Sequence, residues 1–257
     1  MCAISLPTQM DKPPIKFAFF GSSRFSTLVL EELEKAGYSP LLQVNDARAP
    51  LPELPSEVEW GIVASFGKII PESYLKIPKH GFVNVHPSLL PELRGPAPIQ
   101  NLILKNQTPG VTIIQMDALM DHGPILAQEK VSLTPWPDHY EVVEEKLART
   151  GGQLLVKVLA ENPETKAQDE SLTTYVKMVR KEDGLLDLKD AAEENLRKVL
   201  AYSTWPTAYL LFKKKTGEEV RVVVRDASVE DGQFIPTRVI PAGKKEMDWQ
   251  DFLRGNA

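Results

Sequence analysis

Cysteine is all but absent: Cys2 stands alone among 257 residues, so no internal disulfide can form and a reducing setting, the cytoplasm, is expected. No apolar run approaches the roughly 18 residues needed to span a bilayer. The stretch before Ile15 holds prolines and the charged pair Asp11 and Lys12 but no hydrophobic segment. Residues 1–14 are therefore expected to form a disordered leader and not a signal peptide. The first apolar strand is not followed by a G-x-G-x-x-G fingerprint, which disfavours a dinucleotide site. No His, Cys and Glu cluster has zinc spacing, so no metal is expected. Internal repeats and low-complexity tracts are also missing. A strong positive charge is lacking too. The net charge of -5 argues against indiscriminate nucleic-acid binding, and what basic character exists falls beyond Ser171.

What remains is ordinary globular material, 42% hydrophobic and 25% charged, long enough for one large domain or two smaller ones. Ile15 to Phe20 is a continuous apolar run ending at Gly21, as in a buried parallel strand. Ser22 and Ser23 are placed to cap a helix over Phe25 to Ala36, with Leu28, Leu30 and Leu33 facing inward. A short strand spans Pro40 to Val44. Next, Pro50, Pro52 and Pro55 punctuate Asn45 to Glu59, which excludes a regular helix and leaves one extended connection. Trp60 to Phe66 is a second buried strand, followed by Gly67 and a short helix over Pro71 to Ile77.

The stretch FVNVHPSLLPELRGPAPIQ, Phe82 to Gln100, organises the rest. Phe82, Val83 and Val85 have strand character, so Asn84 and His86, two apart, project to one face. Pro87 ends the strand, Pro91 and Gly95 bend the chain, and Pro96 to Pro98 lead into a helix reaching Lys105. A strand over Val111 to Met116 and a turn over Met120 to Pro124 bring in Asp121. Asp138 and Glu141 have the spacing of a capping box for a helix ending near Glu161. Polar residues 162–176 read as a linker. Beyond them come a helix near Ala191 to Tyr202 and strands Tyr209 to Phe212 and Val220 to Val224 around a Thr216-Gly217 turn.

An N-x-H triplet alone is more often structural than catalytic. The longer string NVHPSLLPELRGPAPI, with GVTIIQMD and DHGPILAQ after it, resembles the folate-dependent formyltransferase family, nearest its methionyl-tRNA branch. That resemblance implies an α/β fold with a Rossmann-like, mostly parallel sheet over 15–161. A small C-terminal OB-like β-barrel is implied over 177–257. It implies 10-formyltetrahydrofolate as donor and catalytic roles for Asn84, His86 and Asp121. The cofactor-binding residues implied are Phe66, Gly67, Ile69 and Ile70 in the turn after the Trp60 strand; Ser88, Leu89, Leu90 and Pro91; and Met116, Asp117 and Gly123. Phe25, Arg94 and Gly95 are implied on the acceptor side, although for Arg94 a surface ion pair is an equal alternative.

The chain departs from the family pattern at Leu119 and His122, where small residues are usual. A larger departure lies at 45–59, where family members carry a longer segment with a basic loop that meets the acceptor arm of tRNA. The expected acceptor is the amino group of initiator methionyl-tRNA, with a nucleotide-linked amino sugar as alternative. A third alternative is a non-catalytic folate- or RNA-binding protein. A monomer without membrane contact is expected. Formyl transfer passes through a tetrahedral intermediate bearing a negative oxygen, and fixed donors such as Asn84 and protonated His86 suit that charge. A neighbouring Asp121 favours the imidazolium and offers an acceptor for the amine proton.

Overall fold

A computed structural model describes residues 15–256; the leader expected over 1–14 lies outside the described residues. β1 (Phe17–Phe20), α1 (Arg24–Lys35), β2 (Leu42–Val44), β3 (Trp60–Val63), α2 (Glu72–Leu75) and β4 (Phe82–His86) come first. They are followed by α3 (Pro98–Leu104), β5 (Gly110–Gln115), β6 (Ile125–Lys130) and α4 (Tyr140–Glu161). The six strands form one sheet in the order β2-β1-β3-β4-β5-β6. The first four are parallel, whereas β5 runs antiparallel to β4 and β6 antiparallel to β5. The chain moves from β1 outward to β2 and then returns past β1 to β3, which places a topological switch at the C-terminal strand ends.

Strand alternation divides the core. Phe17, Phe19, Ile62, Val83 and Val85 face α1 and α4, and Ala18, Phe20, Val63 and Phe82 face the opposite side. That second face has no crossover helix between β2 and β3. The proline-rich connection instead lays Leu54 and Val58 onto it, both nearly inaccessible to solvent. Extended chain thus does the covering that a helix usually does, and the sheet keeps two buried faces.

Ser23 caps α1 as its residue type suggests. Its Oγ accepts from the Ser26 N–H at 3.3 Å and its N–H donates to Ser26 Oγ at 3.0 Å. The capping box expected from Asp138 and Glu141 does not form: the residue before α4 is His139, with no side-chain cap. The Tyr140 N–H donates at 3.1 Å to Ser203 Oγ, and that hydroxyl donates at 2.6 Å to Glu141. A residue from the C-terminal part thereby satisfies one of the four free N–H groups of this helix end.

The C-terminal part contains α5 (Ala192–Ala201), β7 (Tyr209–Lys213), β8 (Glu219–Glu230), β9 (Gln233–Pro241), β10 (Met247–Asp248) and α6 (Trp249–Asn256). Its strands make a separate antiparallel sheet, β10-β9-β8-β7. Val199 of α5, Leu210, Val222, Val224, Val239 and Phe252 of α6 fill the core beneath it. Leu200, Ala201 and Tyr202 belong to the core of the larger sheet, and Arg197 Nε donates to the Leu104 carbonyl at 2.9 Å. α5 therefore buries residues in both cores. No helix among the described residues is long and apolar enough to cross a membrane.

Candidate active site

In β4, Val83 and Val85 point into the α1/α4 core, so Asn84 and His86 are turned to the other face at the strand's C-terminal end. Asp121 arrives from the turn between β5 and β6 with φ of 51°, a left-handed conformation that aspartate tolerates better than most residues. The turn is closed by the Gln115 N–H donating to the Pro124 carbonyl at 2.9 Å. A Cβ on Gly123 would stand 1.8 Å from the Gln115 carbonyl oxygen, so only glycine allows this approach.

The three polar groups meet. Asn84 Nδ2 donates to Asp121 Oδ1 at 3.3 Å, and His86 Nδ1 lies 3.5 Å from the same oxygen. The other carboxylate oxygen accepts from the Gly95 N–H at 2.8 Å. His86 Nε2 lies 3.1 Å from the Leu93 carbonyl. A carbonyl only accepts, so Nε2 carries a hydrogen, and Nδ1 is the ring nitrogen that faces Asp121. The imidazole is buried, while the Asp121 side chain keeps 13% exposure. Asn84 is half-buried, so the amide and the carboxylate keep some access to solvent while the ring does not.

The residues expected to hold the donor divide into two kinds. Gly67, with φ of 74°, has open space where a Cβ would stand, and Ile69 beside it is 81% exposed. Bare backbone next to an apolar side chain suits a flat ring. Phe66 and Ile70, by contrast, are buried in the second core, and Ser88 and Leu90 are buried as well. The Ser88 hydroxyl donates to the Glu92 carbonyl at 2.7 Å, its carbonyl accepts from Thr112 Oγ1 at 2.6 Å, and the Leu90 N–H donates to that hydroxyl at 3.1 Å. This loop is thus stapled to β5. Leu89 lies over Gly110, and Pro91 lends its carbonyl to the Thr174 N–H. Met116 packs on the second core, and Asp117 closes its own turn, accepting from the Leu119 N–H at 2.9 Å and from His122 Nδ1 at 2.5 Å.

On the acceptor side, Gly95 touches Asp121, but Phe25 is buried in the main core. Arg94 is neither a surface ion pair nor open to a substrate. It is fully buried, its Nη2 2.8 Å from Gln168 Oε1 and 2.6 Å from Glu170 Oε1. Burial acts to lower its pKa, but the Glu170 and Tyr175 contacts outweigh that and hold it above the ordinary value. Gln168, Glu170 and Thr174, in the stretch read as a linker, are functional neighbours that sequence reasoning missed. No periodicity or spacing marks them. A separate cavity of about 340 Å³ opens at the ends of β1 and β2, lined by Ser22, Ser23, Arg24, Gln43 and Asn45 among others. None of Asn84, His86 and Asp121 lines it; its link toward the Gly67 turn is Ser22 Oγ donating to the Phe66 carbonyl at 2.9 Å.

Residues 23–159 match the family model described as "Formyl transferase". The methionyl-tRNA formyltransferase of Chloroflexus aurantiacus is 40% identical over 211 residues, covering 78% of this chain and 66% of that enzyme's length. The namesake from Dehalococcoides mccartyi is 32% identical over 96% of this chain and 86% of its own length. In three dimensions the methionyl-tRNA formyltransferase of Clostridium thermocellum superimposes with a TM-score of 0.69 at 16% identity, over 91% of this chain and 99% of that one. With the match to the family model covering more than half of the sequence, and relatives of this identity, the chain belongs to the formyl transferase family.

Proposed function

We propose that the chain transfers the formyl group of 10-formyltetrahydrofolate to the amino group of initiator methionyl-tRNA. The observation that carries this is the convergence of Asn84, His86 and Asp121. Asn84 Nδ2 and His86 Nδ1 both approach Asp121 Oδ1, and in this reading the formyl oxygen takes over their hydrogen bonds, with His86 protonated, as it becomes negative in the tetrahedral intermediate. Asp121 Oδ1 then accepts the proton shed by the attacking amine and returns it to the donor nitrogen as the bond between that nitrogen and the formyl carbon breaks, so that tetrahydrofolate leaves neutral at that nitrogen. The Gly95 N–H on Oδ2 keeps the carboxylate from rotating away. The donor supplies an activated one-carbon unit when bound. Gly67 and Ile69 offer it exposed backbone and an apolar face, whereas Phe66, Ile70, Ser88, Leu89, Leu90, Pro91 and Met116 support the walls around it. Such a reaction belongs to the cytoplasm and needs only a monomer. Division at 161 and 177 into catalytic domain, linker and C-terminal domain is part of this reading. So is an OB-like character for the last domain, supported by the two register shifts that bend β8 against β9.

The extended 45–59 connection favours a second acceptor, a nucleotide-linked amino sugar, because it leaves no room for a long basic loop. Incubation with 10-formyltetrahydrofolate and either charged initiator tRNA or the amino sugar decides between them. Formylmethionyl-tRNA is the expected product. Product on the sugar alone overturns the tRNA assignment, and product on neither overturns the enzymatic reading.

A further inference from the structure

We propose that the segment 166–176 is a strap that sets the geometry of the catalytic group, with Gln168 as its positioning residue. This rests on the assignment of Asn84, His86 and Asp121 as the reacting residues.

The strap is tied at both ends. Lys166 exchanges two backbone hydrogen bonds with Ile125, at 2.7 and 2.8 Å, immediately after the Asp121 turn. Further on, the Arg94 N–H donates to the Thr174 carbonyl at 2.9 Å and the Val176 N–H donates to the Arg94 carbonyl at 2.8 Å. Between these ties every polar position of the Gln168 amide is used. Oε1 accepts from Arg94 Nε at 3.1 Å and Nη2 at 2.8 Å. This fixes which end of the amide is oxygen. Nε2 therefore donates, to the carbonyls of Asp121 and Gly123, both at 2.8 Å. One side chain thus locks the left-handed backbone of the residue whose carboxylate faces His86.

The same strap reaches the imidazole from the other side. Thr174 Oγ1 accepts from the Leu93 N–H at 2.9 Å, and the Leu93 carbonyl is the partner of His86 Nε2. Leu93 itself has φ of 62°, an unfavourable value for leucine that its neighbours must maintain. At Gly95 a Cβ would stand 2.4 Å from the Val176 carbonyl oxygen, so strap and loop meet at backbone distance. Both partners of the catalytic His–Asp pair hang on one segment. A displacement of about 1 Å at a reacting group can cost about 100-fold in rate, which makes the strap a determinant of turnover and not only of folding.

The test compares wild type, Gln168→Leu, Gln168→Glu, Asp121→Asn and the Gln168→Leu/Asp121→Asn double variant in formyl transfer to charged initiator tRNA. Gln168→Leu keeps the shape but none of the four hydrogen bonds. Gln168→Glu still accepts from Arg94 but cannot donate to the two carbonyls. Both are expected to lower kcat about 10- to 100-fold per folded molecule, with both KM values within twofold, and the double variant to be no slower than Asp121→Asn alone, because Gln168 acts through Asp121. A merely structural role predicts kcat within twofold of wild type on the folded fraction, or losses that multiply in the double variant. Either result overturns the strap. An Asp121→Asn variant as fast as wild type would instead overturn the catalytic assignment. Should Gln168→Leu not fold, Thr174→Val carries the same prediction through Leu93 and His86. The His86 ring signals in a ¹H–¹⁵N spectrum give a reading independent of turnover: they shift in Gln168→Leu, and unchanged signals would count against the proposal.

Discussion

Exchanging Asn84 for aspartate is the sharpest probe of the catalytic group, because it alters no volume and reverses the chemistry of one atom. Asn84 Nδ2 stands 3.3 Å from Asp121 Oδ1. A carboxylate oxygen in its place puts two like charges at that separation, worth about 5 kcal/mol of repulsion at an effective dielectric constant of about 20. The pair relieves this by holding a proton, so its joint titration moves upward. A carboxyl pKa raised in the folded state stabilises fully below its unfolded value and loses that contribution as pH rises through the folded value. Asn84→Asp is therefore expected to match wild-type stability at acid pH and to fall behind it as pH rises toward neutrality. Asn84→Ala should show no such added pH dependence. Both variants remove one donor from the developing oxyanion, worth about 2.7–4 kcal/mol, or about 10²- to 10³-fold in kcat. Urea unfolding at several pH values and single-turnover formyl transfer read the two effects separately. Wild-type kcat in Asn84→Asp at neutral pH would refute the placement of this amide at the reacting oxygen.

Three further predictions concern stability. Gly152→Ala gains about 1 kcal/mol of helix propensity, but its Cβ would lie 2.6 Å from Glu32 Cβ and 2.9 Å from the Val29 carbonyl oxygen. Overpacking costs roughly 1–3 kcal/mol, so urea unfolding should show a net loss, and a gain would mean that α1 and α4 separate freely. Burial acts to raise the Glu32 pKa, yet hydrogen bonds from Lys35, Gln153 and Arg149 together leave it lowered. Its contribution is present above the ordinary carboxyl value of about 4.3 and disappears as pH falls through the lower folded value. Glu32→Gln should therefore flatten the acid limb of the stability curve. Ser203→Ala removes the cap on the Tyr140 N–H and should cost about 1 kcal/mol in urea unfolding, whereas Ser203→Thr should recover most of it.

Legibility in the sequence follows the range of the interaction. Asn84 and His86 share a face because strands alternate, and Asp121 occupies a turn that Gly123 marks, so local rules lead to the residues even though family resemblance supplies their roles. β6 is harder. Its ILAQEK runs from three apolar residues to three polar ones without alternating, only Leu126 is buried, and an edge strand of that polarity carries little hydrophobic signal. The cap of α4 shows the limit plainly. Asp138 and Glu141 have a capping spacing, yet the helix begins one residue later, after His139, and the N–H that is capped is that of Tyr140, by the distant Ser203 hydroxyl.

The support of the site lies beyond local reading for the same reason. Gln168 meets the Asp121 turn from 47 residues away, and Thr174 meets Leu93 from 81. Neither contact repeats with a helical or strand period. Both join side chains to backbone in irregular segments, where many polar sequences look alike. The extended 45–59 connection belongs to this class. Prolines exclude a helix there, but that Leu54 and Val58 cover Phe20 and Phe82 follows only from the packed sheet. That covering explains how a chain with so short a crossover keeps the site intact. The proposed catalytic residues lean on β4, β5 and the proposed strap, and the β2 side of the sheet contributes a buried floor and none of the hydrogen bonds that orient them. Replacing Leu54 with alanine should accordingly cost roughly 2–5 kcal/mol of stability while kcat per folded molecule stays near wild type. A parallel fall in kcat would show that the floor, too, sets the geometry above it.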